Sequence, residues 1–412
     1  MKFDSLRAWC ALSCLVLATA ARAADDPQQA PDEDLYMQAL QSISEGRRTD
    51  ATAELRRAIE RSPNHAGAWL ELALTHCALG NSDEAERLFA VIETRFNPSP
   101  ALLELIAQTR EQGCSRWDVF SSGVVTASRG FDQNVNQGAR TTRYVVDAPD
   151  GQVEYELSGD FTPRSDGYTQ LSGEYMREVT PNGVLGFAQY QLRRNDSLHQ
   201  YDTSSLFTGL EAPYRWGRWR LRATGTLGLV TLGGQLYQKQ AQLQARVVPP
   251  LSLPAGVQFN VVGAITYNNF PSLTNFDSTT QELRGHLSWR GGDTFASTTL
   301  GYLNDHALAQ RPGGDRKGAY ANIVLRRHVG FSVNTEVGYS RQTWNSERAY
   351  SPGVIEQVRE QATQVLRASI NYAINKQQSV VLEARVVRNR ENISIFQYNN
   401  RQLQLSWQWQ LP

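Results

Sequence analysis

Alternation of apolar and polar side chains dominates the chain from about residue 118 to its C-terminus. Near that end, Leu405, Trp407 and Trp409 alternate with Ser406 and Gln408. A period of two places successive side chains on opposite faces of a β-strand. All four cysteines (10, 14, 77 and 114) precede this region, so disulfides cannot hold it together. The region must therefore fold as β-structure with one apolar and one polar face.

A soluble antiparallel sheet would show the same alternation. Here, however, the polar positions at strand centres carry arginine and glutamine, which suit a water-filled lumen, and aromatic residues recur at strand ends. Both features are typical of transmembrane β-barrels. We predict that 117–412 forms an antiparallel transmembrane barrel of about 16 strands, with 14 as the alternative. The residues predicted to face the lumen are Arg218, Arg220, Arg222, Arg284, Gln240, Gln242 and Gln244.

Connection lengths between the predicted strands also alternate. The segments 268–279, 305–317, 345–361 and 390–400 are long, whereas 291–292, 328–330 and 375–378 are short. Outer-membrane barrels have short periplasmic turns and longer external loops. Both ends of the barrel segment are therefore predicted to lie on the periplasmic side.

The N-terminus has the pattern of an export signal. Lys2 and Arg7 precede an apolar run, and Ala21-Arg22-Ala23 offers a small-x-small cleavage site. We predict a signal peptide over 1–23, cleavage after Ala23 and a linker over 24–33. The mature chain would then occupy an oxidising compartment outside the cytoplasm.

Residues 34–114 show an internal repeat of 34 residues. This offset aligns Gly46 with Gly80 and Leu55 with Phe89. The second unit, which begins at Trp69, closely resembles the tetratricopeptide repeat, or TPR, signature of paired helices. We predict two helix pairs and a capping helix, located in the periplasm. In the resembled repeat, one concave surface binds extended peptides, and the matching positions here are Tyr36, Leu40, Leu70 and Leu74.

The two cysteines that remain after cleavage form a candidate disulfide. Cys77 closes the first helix of the second repeat, and Cys114 follows the corresponding helix of the next unit. Their separation is close to one repeat, so stacked helices would bring them to similar heights. The alternative is two buried free thiols that pack as small hydrophobic groups.

Charge and motifs exclude several classes of function. The chain has 41 basic and 41 acidic side chains, which favours no nucleic-acid partner. The six histidines are scattered, and the sequence contains none of the common zinc, nucleophile-elbow, phosphate-loop or calcium-loop motifs. We expect no catalytic residues, no metal and no cofactor, and therefore no enzyme.

The order of signal, TPR helices and barrel resembles a small group of outer-membrane export proteins. One branch is the surface lipoprotein assembly modifier (Slam) family, and another is the exopolysaccharide export porins. The motif Asp132, Asn134, Val135 and Asn136 is similar to an Asp-x-Asn-Val-Asn segment at the start of the Slam-type barrel. A cluster of Asp and Asn is also what a barrel loop needs.

The resemblance implies a protein of the Gram-negative outer membrane that exports or displays a periplasmic cargo. Its expected partners are outer-membrane lipid, a lipoprotein or secreted protein as cargo, and periplasmic chaperones. Two alternatives remain open: an exopolysaccharide export porin, and a structural barrel whose TPR helices bind partners without transport.

Overall fold

A computed structural model describes residues 31–96, 98–114, 119–148, 151–330 and 332–411. The predicted signal peptide, its cleavage site and all but the last three residues of the predicted linker lie outside these residues. The described chain forms two compact units. The first runs to Phe120 and includes Glu178–Val184 and Pro250–Ala255, and the second contains the remaining residues.

Helices account for most of the first unit, and the described residues contain five. They are α1 (Pro31–Ser44), α2 (Arg48–Arg61), α3 (Ala66–Ala78), α4 (Ser82–Arg95) and α5 (Pro100–Gln112). None of them has the length and apolar content that crossing a membrane would require. Helix α1 begins at Pro31 and therefore includes the last three residues of the predicted linker.

Small side chains allow the helices to pack closely, as the repeat predicts. Ala51, Ala73 and Ala85 are fully buried, and Leu55 and Phe89 fill the space between the helices. Gly46 and Gly80 have φ values of +77° and +78°. This left-handed conformation favours glycine and ends α1 and α3. The two predicted helix pairs and the predicted capping helix are confirmed.

The second unit is built from strands. In chain order they are β1 (Ser121–Asp132), β2 (Arg143–Ala148), β3 (Gly151–Glu156), β4 (Asp166–Glu178), β5 (Leu185–Asn195), β6 (Thr203–Trp216), β7 (Trp219–Leu232), β8 (Gln235–Val248), β9 (Val257–Asn269), β10 (Ser278–Gly291), β11 (Thr294–Ala307), β12 (Arg316–Gly330), β13 (Val333–Ser351), β14 (Ile355–Ala373), β15 (Gln378–Glu391) and β16 (Tyr398–Leu411).

Within the described residues, 14 of these strands form a closed antiparallel barrel in the order β1, β4 and then β5 to β16. The barrel closes where β1 pairs with β16, from Gly123 opposite Leu411 to Asp132 opposite Gln402. The preferred prediction of 16 strands is wrong, and the alternative of 14 is confirmed. Among the strands that the structure describes, β2 pairs with β3 alone, in a hairpin separate from the barrel.

The two ends of the barrel differ in their connections. The end that holds Gly123 and Leu411 also holds the turn 217–218 and the connections 292–293 and 374–377. We call it the short-turn end. The opposite end, which we call the long-loop end, holds 133–165, 270–277, 308–315 and 392–397.

The prediction of a loop over 345–361 is wrong for most of that segment. Strands β13 and β14 extend through it and leave only 352–354 as the turn, with register shifts around Ala349. Residues Asn345-Ser346-Glu347-Arg348 are all polar. A hairpin that is polar on both faces lacks the apolar alternation from which strands are predicted.

Candidate functional site

The barrel has an apolar outer face and a polar inner face. On β7 and β8, Leu227 and Leu243 are 63% and 72% exposed, whereas Thr226 and Gln244 on the opposite face are half-buried. Side chains of a closed sheet alternate between its interior and exterior. We call the polar interior face of β6 to β15 the inner wall.

One network on the inner wall joins three strands that are not neighbours. The Arg284 guanidinium on β10 donates to Glu282 Oε1 at 2.8 Å and to Gln244 Oε1 on β8 at 2.7 Å. The Tyr320 hydroxyl on β12 donates to the same Glu282 carboxylate. Each inter-strand contact crosses an intervening strand, which requires the concave side of the sheet. Charged groups therefore converge inside the barrel.

A second network on the inner wall alternates in charge. Glu336 on β13 accepts hydrogen bonds from Arg326 on β12, at 2.6 Å, and from Arg367 on β14. Arg367 also lies 3.9 Å from the carboxylate of Glu383 on β15. Such a surface presents both signs of charge at short intervals, so it can hydrogen-bond water and polar solutes of either sign.

Six of the seven residues predicted to face the lumen occupy the inner wall. Arg222 bonds to Glu211, Gln242 donates to Thr266 Oγ1 at 2.9 Å, and Arg220 lies opposite Arg215 in the β6–β7 register. The other three of these six are Arg284, Gln240 and Gln244.

The prediction for Arg218 is wrong. Arg218 and Gly217, whose φ is +56°, form the turn between β6 and β7. The turn reverses the parity of the alternation, because the exposed apolar residues have even numbers on β6 and odd numbers on β7. Arg218 is in phase with Arg220 and Arg222 only when β7 is extended backward into the turn, and the turn belongs to neither face.

Sequence reasoning missed the acidic partners of the inner wall. Glu282 stands two residues before Arg284, so shared strand parity could have signalled that pair. Glu211 and Arg222 are paired across a hairpin, and Glu336 and Arg367 are 31 residues apart. Only the strand register brings the members of these two pairs together.

The Asp132 motif forms a buried hydrogen-bond cluster at the barrel seam. Asp132 Oδ2 accepts from Arg193 on β5 at 2.6 Å and from Gln402 on β16 at 2.7 Å. Asn134 Nδ2 donates to the carbonyl oxygens of Gly138 and Asn399, both at 3.0 Å. The two acceptors lie on opposite sides of the seam, so this part of the motif fastens the first loop to the last strand.

The rest of the motif fixes the same loop from within. The backbone N–H of Val135 donates to the Arg164 carbonyl at 2.8 Å. Asn136 Nδ2 donates to the Thr162 carbonyl at 2.8 Å, and its Oδ1 accepts from the Arg164 N–H at 3.0 Å. A Cβ on Gly138 would lie 2.3 Å from the Thr162 backbone, so glycine is required there. The contacts give the motif a structural role.

The positions predicted to form the TPR groove lie on α1 and α3. Tyr36, Leu70 and Leu74 are half-buried and pack against the core of the helical unit, and Leu40 is also half-buried. Burial raises the pKa of Glu71, which lies beside Leu70 in the sequence. Burial, followed by the charge of Glu71, raises the pKa of Tyr36. The surface therefore combines partly exposed apolar side chains with one carboxyl group.

The structure joins Cys77 and Cys114 by a disulfide with a Cα–Cα distance of 4.5 Å. The bond connects the end of α3 to the residue two positions after α5. Cys77 belongs to the buried core, and Cys114 packs against it. The capping helix is thus attached covalently to the second repeat.

Histidines of the described segments make structural contacts. His286 Nδ1 lies 2.9 Å from Thr299 Oγ1, and His76 lies 3.3 Å from both Arg56 Nη2 and Asn81 Nδ2. Asp305 and Asp315, which are close in sequence, have separate partners: two arginines for the former and His306 for the latter. Across the described ranges, no group of three or more His, Cys, Asp or Glu residues could hold a metal ion.

The helices of the first unit are similar to a known family of repeats. Residues 42–109 match the tetratricopeptide repeat family. The match begins in α1 and ends in α5. No curated protein matches the chain.

The barrel is similar to solved outer-membrane porins. An anion-selective porin from Comamonas acidovorans aligns with a TM-score of 0.37 and 10% identity, over 71% of this chain and 99% of the porin. In-vitro folded OmpT of Vibrio cholerae gives 0.40 and 7%, over 71% and 97%. OccAB3 of Acinetobacter baumannii gives 0.36 and 8%, over 70% and 99%. Similarity of this size says nothing about what the present barrel carries.

Proposed function

We propose that this protein spans a Gram-negative outer membrane and exports or displays a periplasmic cargo, with the TPR helices as its docking module. The observation that carries the proposal is a closed barrel with an apolar outer face and a charged inner wall, on one chain with TPR helices. The cargo would be a lipoprotein or a secreted protein. Periplasmic chaperones are further proposed partners.

The outer face supports a membrane location. Large apolar side chains on the barrel strands are exposed over wide areas, as a lipid-facing surface requires. Trp216, Trp219, Trp289, Trp407 and Trp409 are all exposed and lie near the short-turn end. An aromatic girdle at a membrane interface has this arrangement.

The proposed role of the barrel is passage or insertion rather than catalysis. The inner wall offers hydrogen bonds and paired charges, which a moving polar segment can exchange for those of water. We propose no enzymatic reaction and no resident cofactor.

A polysaccharide export porin is the second candidate. The inner wall also carries neutral donors and acceptors, such as the bonded pair Gln242 and Thr266 and the Tyr320 hydroxyl. Hydroxyl-rich polymers hydrogen-bond to such groups as readily as peptides do. A glycan cargo would use this wall without using the TPR groove.

Site-specific photocrosslinking in living cells tests the protein-cargo proposal. A benzophenone amino acid would replace Leu70 in the proposed groove and, as the matched control, the exposed Leu103 on α5. We expect adducts with an exported protein from position 70 and none from position 103. Equal adducts from both positions, or none from either, would contradict cargo docking in the groove.

Cell fractionation provides a separate test of location. The full chain should sediment with outer membranes and migrate faster on unboiled than on boiled gels. Recovery as a soluble periplasmic protein would overturn the proposed location. Accumulation of a polysaccharide in the periplasm of a deletion strain, with protein export intact, would favour the second candidate.

A further inference from the structure

A basic patch lies on the outer wall of the barrel, immediately beyond its apolar surface. On β15, Leu382 and Ala384 face outward and are followed on the same face by Val386, Arg388 and Arg390. Side chains at alternate positions of a strand share one face. The outer wall therefore changes from apolar to cationic on moving toward the long-loop end.

Neighbouring strands change from apolar to polar side chains at the same level. In the register, Arg388 lies opposite Asn399 on β16 and opposite Gln364 on β14, which in turn pairs with Arg341 on β13. One step closer to the apolar surface, Arg401 pairs with Val386. The next step pairs Ala384 with Leu403, so the boundary falls at one level across four strands.

The loop after β1 brings a further arginine to this patch. The Arg140 backbone N–H donates to the Gln397 carbonyl at 2.7 Å, and Gln133 N–H donates to the Arg401 carbonyl at 3.0 Å. A cavity of about 330 Å³ lies here, lined by four arginines: Arg140, Arg388, Arg390 and Arg401.

The arginines of the patch differ in their partners from four arginines of the inner wall. Arg222, Arg284, Arg326 and Arg367 all form ion pairs with glutamates. In contrast, the patch residues are exposed and form no ion pair or side-chain hydrogen bond with any residue that the structure describes. They are Arg140, Arg341, Arg388, Arg390 and Arg401.

Like charges at neighbouring positions repel one another. Glu360 on β14 is a diagonal neighbour of Arg390 in the register, whereas Arg388 and Arg401 face each other. Diagonal neighbours such as Arg388 and Arg401 are about 7–8 Å apart in an antiparallel pair. An anion bound between them would remove this repulsion. Arginine matches phosphate in particular, because its planar guanidinium can donate two parallel hydrogen bonds to phosphate oxygens.

We infer that this patch binds the phosphate groups of a glycolipid headgroup in the outer leaflet of the membrane. The patch faces the lipid side and lies just beyond the apolar surface, where headgroups meet the protein. It is also at the long-loop end, which is external in barrels of this kind. The inference rests on the proposed outer-membrane location.

Binding of lipid A to the full chain in detergent tests the inference. The test variant is R388Q/R390Q/R401Q. The matched control is R177Q/R218Q/R327Q, which removes three exposed arginines near the short-turn end. Native mass spectrometry would follow the titration of lipid A and of its dephosphorylated form, and the shift between unboiled and boiled gels would verify the fold of each variant.

We expect the test variant to bind lipid A about a hundredfold more weakly than the unmodified chain, because each interfacial arginine contributes about a factor of five. The control should bind normally. On the unmodified chain, dephosphorylated lipid A should also bind weakly, and this measurement does not depend on how any variant folds.

Three results would overturn the inference. These are equal binding of both forms of lipid A, equal losses in the test and control variants, and displacement of lipid A by millimolar inorganic phosphate, which would indicate a site for free anions. Binding is measured on purified protein. If the chain fractionates with outer membranes but does not bind lipid A as expected, the inference about the patch is refuted and the proposed location stands. Soluble fractionation would refute the proposed location instead.

Discussion

Asn134 illustrates how one side chain supports the barrel seam. Its amide donates to Gly138 and Asn399 and accepts from the Gly138 N–H at 2.7 Å, and the residue is 1% exposed. Asn134→Ala would leave these buried groups without partners. We expect a loss of about 1–3 kcal/mol in the free energy of unfolding.

The loss should lower the temperature at which the faster-migrating folded barrel converts to the slower-migrating unfolded chain on gels. It should also speed proteolysis within 133–165. Gln133→Ala is the matched control, since Gln133 is the exposed neighbour. A variant at position 134 that is as stable as this control would show that the cluster does not hold the seam.

His76 makes the helical unit sensitive to acid. Burial, followed by the positive charge of Arg56, lowers the pKa of His76 from its ordinary value of 6.5. Below about pH 6.5 the unfolded chain therefore binds a proton that the folded chain does not, and stability falls as the pH falls. Hydrogen exchange of α3 and α4 should be faster at pH 5.5 than at pH 7.5, measured after correction for intrinsic exchange rates.

Substitution of the histidine separates this effect from general acid sensitivity. His76→Gln should flatten the pH dependence of exchange, whereas substitution of the exposed His199 should leave it intact. An unchanged pH dependence in His76→Gln would assign the effect to other groups.

At the scale of a single strand, β7 tests the assignment of faces. Leu227 points outward from the middle of the strand, and Thr226 points to the inner wall. We expect Leu227→Arg to cost about 2–4 kcal/mol of barrel stability, because the charge would enter the membrane near its midplane. Thr226→Arg, the matched control, should be tolerated.

Refolding into lipid vesicles with urea titration would measure both variants of β7. Leu221→Arg should cost less than Leu227→Arg, because Leu221 lies only two residues from the start of β7 at the short-turn end. Equal costs at positions 226 and 227 would refute the assignment of faces.

The disulfide attaches the end of α5 to α3. Cys114→Ser should destabilise α5 against α3 by about 2–4 kcal/mol, since the bond closes a long loop in the unfolded chain. Hydrogen exchange in 100–112 would report the change. Mild reduction of the unmodified chain should reproduce it. Two freely labelled thiols in the unreduced, unfolded chain that lacks residues 1–23, and with them Cys10 and Cys14, would exclude the bond.

At the scale of the whole molecule, the inner wall should control ion selectivity. Glu282→Gln with Glu336→Gln would remove two acids and leave Arg284 and Arg326 without their ion-pair partners, and Arg367 with Glu383 alone. We expect reversal potentials in planar bilayers to shift toward anion selectivity. Arg284→Gln with Arg367→Gln should shift them toward cations, and the same shift from both pairs would show that these groups do not line a conduit.

The helical unit was predictable because its determinants are local. Gly46 and Gly80 end helices through their own backbone conformation, and Ala51 and Ala85 recur at the spacing of the repeat. The proximity of Cys77 and Cys114 follows from the same spacing. Each of these features needs only the helical period and one repeat length to be inferred.

The strand count was less predictable, because alternation does not identify the partner of a strand. Strand β2 has the composition of a barrel strand, but it pairs with β3 outside the barrel. The polar outer parts of β13 and β14 showed no alternation, although they are paired strands. Pairing depends on which backbone lies alongside, and neighbouring residues do not encode this.

The sequence by itself determined the helical and the β-barrel architecture and the apolar or polar character of each barrel face. Both follow from periods of 3.6 and 2 along the chain. Tertiary structure alone decided which charges meet. Asp132 reaches Gln402 across 270 residues, and Arg140 joins Arg388 and Arg401 around one cavity. Closure of the sheet and its register set these distances. The ion pairs of the inner wall and the arginines without ion pairs on the outer patch therefore depend on the folded barrel.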